Sequence, residues 1–299
     1  MNIVVLTAGE PHQRYVVNAL HRRHPLRAVF RWPKRSPPPL PTLRSRYWAA
    51  LNRVKSWRTD GWCGVRERSF KRRLARCEQR LKTRALQRVL GIDDAYPFRS
   101  DLMVVEVADL NSDDTARRLS AYDPDVLLLI GSPIIRRPVL TTARLGVLNC
   151  HTAMLPRFRG SCAQHWILLT GEHDAAGVTI HWATEELDAG DITAQRKVEV
   201  QPGDDPFALR CRCLTRAADA FAETLDELAR GRRPGIPQAT AAPPYRAEQL
   251  TPELRWKCCR LSAEQTSAAV SKAVSKLKTS TDLVRDPPSP HLRPTPSQR

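Results

Sequence analysis

Short apolar runs alternate with segments of helical period along most of this chain. Ile3 to Leu6, Arg27 to Phe30, Leu102 to Val107, Asp125 to Ile130 and Gly146 to Cys150 are each too short for a buried helix. Runs of that kind predict parallel strands covered on both faces. Between them, Arg14 to Arg22, Asp113 to Tyr122 and a stretch from about Ile134 have the three- and four-residue spacing of helices. Further on, Cys162 to Leu169 predicts a helix, and Val178 to Ala183 and Asp191 to Val200 two strands. One long helix is expected over Asp204 to Arg230, with Leu209, Leu214, Ala217, Phe221, Leu225 and Leu228 on one side, and a last short one over Leu250 to Leu261. The pattern predicts an α/β fold: a Rossmann-like, mostly parallel sheet flanked by helices.

One segment departs from that rhythm. After a Pro-rich break from Trp32 to Pro41, Phe70, Leu74, Cys77, Leu81, Ala85 and Val89 recur at helical spacing among arginines and lysines. We therefore expect one catalytic domain over 1–262 with a basic helical insertion at about 42–92. A polar, disordered tail is expected over 263–299, where five prolines follow Asp286. The chain has 48 basic and 31 acidic residues, and 21 of the former against three of the latter lie between Arg22 and Arg88. Outside that segment the charge is close to balanced. With Trp48, Trp57 and Trp62 interleaved, the segment has the composition of a nucleic-acid-binding face. A solvated insertion whose aromatics cover the core is the preferred reading.

The remaining composition narrows the class. No apolar run approaches the roughly 18 residues of a membrane span, and Met1 to Thr7 reads as a buried first strand rather than a leader. The eight cysteines have no metal-site spacing and read as reduced thiols of a cytoplasmic protein, with no metal expected. The turn Thr7-Ala8-Gly9-Glu10-Pro11 lacks the Gly-x-Gly-x-x-Gly fingerprint, so a dinucleotide is not indicated.

The chemistry concentrates between Leu148 and Gly190. Asn149 and His151 are separated by one residue, so on a strand both point to the same side, and Cys150 points away into packing. The loop Leu155-Pro156-Arg157-Phe158-Arg159-Gly160 follows, and then Leu187-Asp188-Ala189-Gly190. Enough chain separates His151 from Asp188 for a helix and a returning strand to bring the carboxylate back. His165 and His181 read as structural, and Trp166 and Trp182 as core.

This ordered set resembles the 10-formyltetrahydrofolate-dependent formyltransferase family, which includes the glycinamide ribonucleotide, methionyl-tRNA and sugar N-formyltransferases. The resemblance covers about Asp125 to Val200; Thr152-Ala153-Met154 departs from the family's usual loop without touching the three polar groups. It implies a catalytic trio of Asn149, His151 and Asp188, and 10-formyltetrahydrofolate as formyl donor. It implies that Gly131, Ser132, Pro133, Glu185, Glu186, Leu187, Ala189 and Gly190 wall the folate, with Arg157 and Arg159 free for an anionic part of a substrate. Asn149 would donate to the developing oxyanion, and Asp188 would favour a His151 imidazolium or take the amine proton.

The expected activity is N-formyl transfer to a small-molecule amine, an amino sugar or another specialised metabolite. Methionyl-tRNA formyltransferase is the rival because of the basic segment. It is disfavoured because fewer than seventy residues, Pro-rich and polar, follow Arg233 where those relatives carry a β-rich domain. A deformylase, with water in place of the amine, needs the same trio. A nucleic-acid-binding protein on a formyltransferase scaffold, using Arg22 to Arg88, is the alternative of another class.

Overall fold

The computed structural model describes residues 1–33, 43–239 and 243–260, with residues 43–63 described by their backbone alone. The expectations for Trp48, Trp57, Trp62 and the tail 263–299 lie outside the described side chains and residues.

Seven strands form one sheet in the order β3-β2-β1-β4-β5-β6-β7. They are β1 (Ile3–Thr7), β2 (Ala28–Arg31), β3 (Val104–Glu106), β4 (Val126–Ile130), β5 (Gly146–His151), β6 (Gly177–Trp182) and β7 (Ile192–Lys197). The first five are parallel, and β6 and β7 run antiparallel to their neighbours. β4 is apolar at every position, and β1 at every position but Thr7, because both faces are covered. Ile3, Val5, Val126, Leu128 and Ile130 face one helical layer with Val16, Val17, Leu20, Phe221 and Leu225. Val4, Leu6, Leu127 and Leu129 face the other, with Leu119 and Val139.

The first layer holds α1 (Pro11–His21) and α7 (Ala217–Ala229); the second holds α3 (Asp113–Ser120) and α4 (Arg137–Leu140). Ser112 caps α3 by accepting from Thr115 N–H, with Asp113 and Asp114 against the positive end of the helix. The helix expected from Ile134 starts only at Arg137 and makes a single turn. Asn111 holds the preceding segment extended, donating to the Ile134 carbonyl and accepting from Arg136 N–H.

The single helix expected over Asp204 to Arg230 is two, α6 (Pro206–Leu214) and α7. Thr215 Oγ1 donates to the Arg212 carbonyl at 2.7 Å, satisfying a helix-end acceptor and letting the chain turn there. A second core lies beneath α5 (Ala163–Thr170), where Ile167, Leu168 and Leu209 meet Phe158 and Ala153. The last helix, α8 (Pro252–Arg260), packs across α5 and the basic helix α2 (Leu43–Ala85).

Helix α2 spans Leu43–Ala85, 43 residues, and runs on into a π-helical turn at Leu86–Leu90 that stops at Gly91 with φ +66°. At 1.5 Å per residue α2 is about 65 Å long. The predicted apolar stripe is real at its C-terminal end: Leu74 and Ala85 are buried, and Leu81 and Val89 pack with Leu86, Leu90 and Phe207. Phe70 meets Trp256 of α8 edge-on, and Glu78 forms a two-point ion pair with Arg255. No described helix is long and apolar enough to cross a membrane.

Candidate active site

The site lies at the carboxyl edge of the sheet, where ligands of open α/β sheets bind. A cavity of about 360 Å³ opens beside the ends of β4, β5 and β6. Its wall includes Asn149, His181 and Asp188, with Gly131, Ser132, Pro133, Glu185, Glu186 and Leu187 at the rim. Leu129, Ile135, Leu140 and Ala183 supply apolar surface.

Asn149, His151 and Asp188 meet, as the spacing predicted. Asn149 Nδ2 donates to Asp188 Oδ1 at 3.2 Å, and Asp188 Oδ2 lies 3.3 Å from His151 Nδ1. The His151 and Asp188 side chains are 9% and 6% exposed, so water screens them little. Asp188 Oδ2 also accepts from Gly160 N–H at 2.8 Å. Gly160 has φ +93°, and a Cβ there would come within 2.2 Å of the Tyr245 carbonyl, so only glycine lets the backbone reach the carboxylate. Asp188 and Phe158 themselves hold left-handed backbone at φ +49° and +53°. Such conformations cost on the order of 1–3 kcal/mol each and persist only where the surroundings over-determine them.

His181 belongs to this cluster, against the structural role expected for it. It stands opposite Asn149 in the β5–β6 register, with Nε2 3.0 Å from Asn149 Nδ2 and 3.5 Å from Asp188 Oδ1. Its Nδ1 lies 3.0 Å from the Trp182 carbonyl, which can only accept, so Nδ1 carries the proton and Nε2 is the acceptor. Both Asn149 amide hydrogens are thereby engaged, one on His181 and one on Asp188. The donor expected for a developing oxyanion is therefore already engaged within the cluster in this structure.

The electrostatics of His151 also differ from expectation. Its Nε2 sits 2.9 Å from the Phe158 carbonyl and therefore carries the proton. Burial pushes its pKa below the usual 6.5; Asp188 pulls the other way, His181 adds to the depression, and burial wins. Neutral imidazole, not imidazolium, is the resting form at pH 7. For Asp188, burial opposes ionisation, but attraction to His151 and His181 whenever they carry a proton's charge, together with the Gly160 N–H, holds its carboxyl well below the usual carboxylate range. A neutral Nδ1 and an ionised Oδ2 thus face each other as two acceptors, a place made for one proton.

Other expectations resolve residue by residue. Arg159 is buried and spends its guanidinium on the Leu187 carbonyl and Glu186, tying the two site loops together. Arg157 points outward to Asp174 at 2.9 Å. Neither lines the cavity, so neither is free for a substrate anion there. Ala189 and Gly190 border an adjoining recess with Trp182 and Arg233 instead. Cys150 packs into the core, and burial pushes its thiol up to about 12. His165 is buried with neither ring nitrogen bonded, edge-on to Phe207.

Two supports were not foreseen. Gln238 Nε2 donates to the Asp188 and Gly190 carbonyls, pinning the carboxylate's loop. Tyr245 stacks on Phe158 and Trp166 and exchanges backbone hydrogen bonds with Arg159 and Ser161. Among the described residues there is no group of three potential metal ligands.

A Rossmann-like sheet thus carries an Asn, His and Asp cluster at its carboxyl edge. Residues 79–225 match the sequence model of the formyl transferase family. The match begins inside α2, leaving β1 and β2 outside it. A methionyl-tRNA formyltransferase from Chlorobium chlorochromatii is 31% identical over 161 residues, 52% of this chain and 50% of that protein. The chain spans about half the length of the curated relatives it matches. Two solved structures share the fold. A candidate sugar N-formyltransferase from Mycobacterium tuberculosis superposes with a TM-score of 0.51 at 16% identity, over 83% of this chain and 76% of its own. A phosphoribosylglycinamide formyltransferase from Anaplasma phagocytophilum gives 0.50 at 18%, over 82% and 97%.

Proposed function

We propose that this chain transfers a formyl group from 10-formyltetrahydrofolate to the amine of a small-molecule acceptor. The observation that carries the reading is the cluster of Asn149, His151 and Asp188 at the edge of the cavity. The cavity suits the donor: a flat ring system needs apolar walls, which Leu129, Ile135 and Leu140 offer. It also needs polar backbone along its rim, which Gly131 to Pro133 and Glu185 to Leu187 offer. The donor supplies an activated formyl carbonyl.

The chain's own groups handle the amine. Asn149 Oδ1, the one face of that amide left unpaired, accepts from the attacking nitrogen and orients it. The proton that nitrogen must lose goes to the His151–Asp188 pair, is held on Nδ1, and passes to the departing folate nitrogen as its bond to the formyl carbon breaks. The imidazolium so formed is bonded to the Phe158 carbonyl on one side and to the carboxylate on the other, which stabilises it. His181 holds the Asn149 amide in its acceptor orientation. No nucleophilic side chain is needed.

A second reading, in which the amine is carried by an aminoacyl-tRNA, is supported by the similarity to methionyl-tRNA formyltransferases. A spectroscopic assay of tetrahydrofolate release separates the readings. The first requires turnover with an amino sugar or another small amine, and the second with aminoacylated tRNA alone. Release with no amine present marks a hydrolase. No release under any condition overturns formyl transfer.

A further inference from the structure

The outer face of α2 carries a regular row of cations. Arg72, Arg76, Arg80 and Arg84 are all exposed and follow one another at four-residue spacing. Each step rises about 6 Å and drifts about 40° around the axis, so the four form one continuous edge. The helix supplies no counter-charge along it. Glu78, the one acid between residues 68 and 92, is buried and paired with Arg255. Nearby cations are occupied: Lys71 pairs with Glu67, Arg88 with Asp204, and Lys82 lies over the Phe207 ring. None of the four arginines has a carboxylate partner among the described residues. Like charges at this spacing repel and weaken a helix, so the row is costly to the isolated fold. Arg76, Arg80 and Arg84, with Gln79, Thr83 and Gln87, line an open surface groove of about 450 Å³ rich in donors.

We infer that this row is a docking surface for the phosphodiester backbone of a nucleic acid, independent of base sequence. A regular train of guanidinium forks matches a regular train of phosphates, and arginine meets phosphate through two parallel hydrogen bonds. Contacts made to phosphates alone position a strand without reading bases. A membrane surface fits less well, because a helix lying in the interface must offer its apolar side to lipid. Here that side, with Leu74, Leu81 and Ala85, is packed against the protein. A protein partner needs central apolar or aromatic anchors, and between Arg72 and Arg84 the exposed positions are Arg, Lys, Gln and Ala. The inference does not depend on the formyl-transfer reading, and its test reads binding rather than activity.

The test uses the full chain and a labelled mixed-sequence RNA duplex of about 24 base pairs, with dissociation constants measured from about 50 to 300 mM salt. The variant Arg72→Gln/Arg76→Gln/Arg80→Gln/Arg84→Gln is compared with a control, Arg117→Gln/Arg118→Gln/Arg230→Gln/Arg232→Gln, that removes the same charge elsewhere. Circular dichroism verifies that both fold. The row variant should lose at least about 10-fold in affinity at 100 mM salt, and its log–log salt slope should flatten by about three. The control should stay within about threefold, and a duplex of different sequence should bind the unmodified chain equally. The inference is overturned if the row variant binds like the unmodified chain, or if the control loses as much. Tighter binding to phosphatidylserine vesicles than to the duplex overturns it as well.

Discussion

The Asp188 cluster and the outer face of α2 are both dense in charge, and they are built in opposite ways. Asp188 is nearly dry, and His151, Asn149 and the Gly160 N–H all lie within 3.3 Å of its oxygens. Arg72, Arg76, Arg80 and Arg84 stand in water, each without a carboxylate partner among the described residues. In the first region every group depends on its neighbours, so any single deletion strands another buried polar atom. In the second, the contributions are separable and small. The difference predicts how each region answers substitution.

The largest effect should come from the carboxylate. With a confirmed acceptor, Asp188→Asn and His151→Ala should each lower turnover by roughly 100-fold or more, the scale of one acid–base contribution. Both proteins should remain folded, because these polar groups sit beside a cavity at the sheet's carboxyl edge rather than in the apolar core. Near-normal turnover in either variant would remove the cluster from the chemistry. His181→Phe tests the neighbouring claim: it frees the Asn149 amide to rotate, so turnover should drop by a smaller factor.

Gly160→Ala should come next, and it acts on stability as well as rate. The added methyl would meet the Tyr245 carbonyl, and the left-handed backbone resists it. Relieving both contacts pulls Gly160 N–H from Asp188 and Tyr245 from the loop, a loss of about 2–4 kcal/mol. Denaturant unfolding measures it, and an unchanged midpoint would show that the loop yields cheaply.

Much of this arrangement was legible in the residues and part was not. The strands were readable because parallel strands buried on both faces leave unbroken apolar runs. The Asn149 and His151 pair was readable because a two-residue period places both on one face. His181 was missed for lack of a register: only once β6 lies antiparallel to β5 does it stand opposite Asn149. Arg159 looked like a substrate-facing cation because loop composition does not tell which carbonyl a guanidinium will reach. Gln238 and Tyr245 lie about 50 to 85 residues from the groups they support, beyond any local pattern.

A pH titration separates the two regions again. Burial, with help from Arg210 and Arg255, lowers the His165 pKa from 6.5 to about 3. The unfolded chain therefore takes up a proton that the folded one refuses, and stability falls as pH drops below 6.5 toward 3. Between pH 6.5 and 4.5 this amounts to about 3 kcal/mol at most. His165→Leu should flatten that part of the curve, and an unchanged slope would assign the acid sensitivity elsewhere. His151, also depressed, gives turnover an acid limb below pH 6.5: protonating it fills the site that must receive the amine proton. The α2 arginines stay charged across this range, so duplex binding should not share that limb.

The smallest effect has the opposite sign. Arg76→Glu places a carboxylate one turn from both Arg72 and Arg80, replacing two repulsive pairs by two attractive ones. At about 0.2–0.5 kcal/mol per pair, the helix should gain on the order of 1 kcal/mol at low salt, and less as salt is added. A reversal of charge at Asp188 would leave a buried cation facing Gly160 N–H and His151, with no way to relax. At position 76 the same kind of change should raise the melting temperature by a few degrees while weakening duplex binding. A variant that loses stability there would show that Arg76 already has a structural partner, and that the α2 row is knit into the fold as tightly as the site.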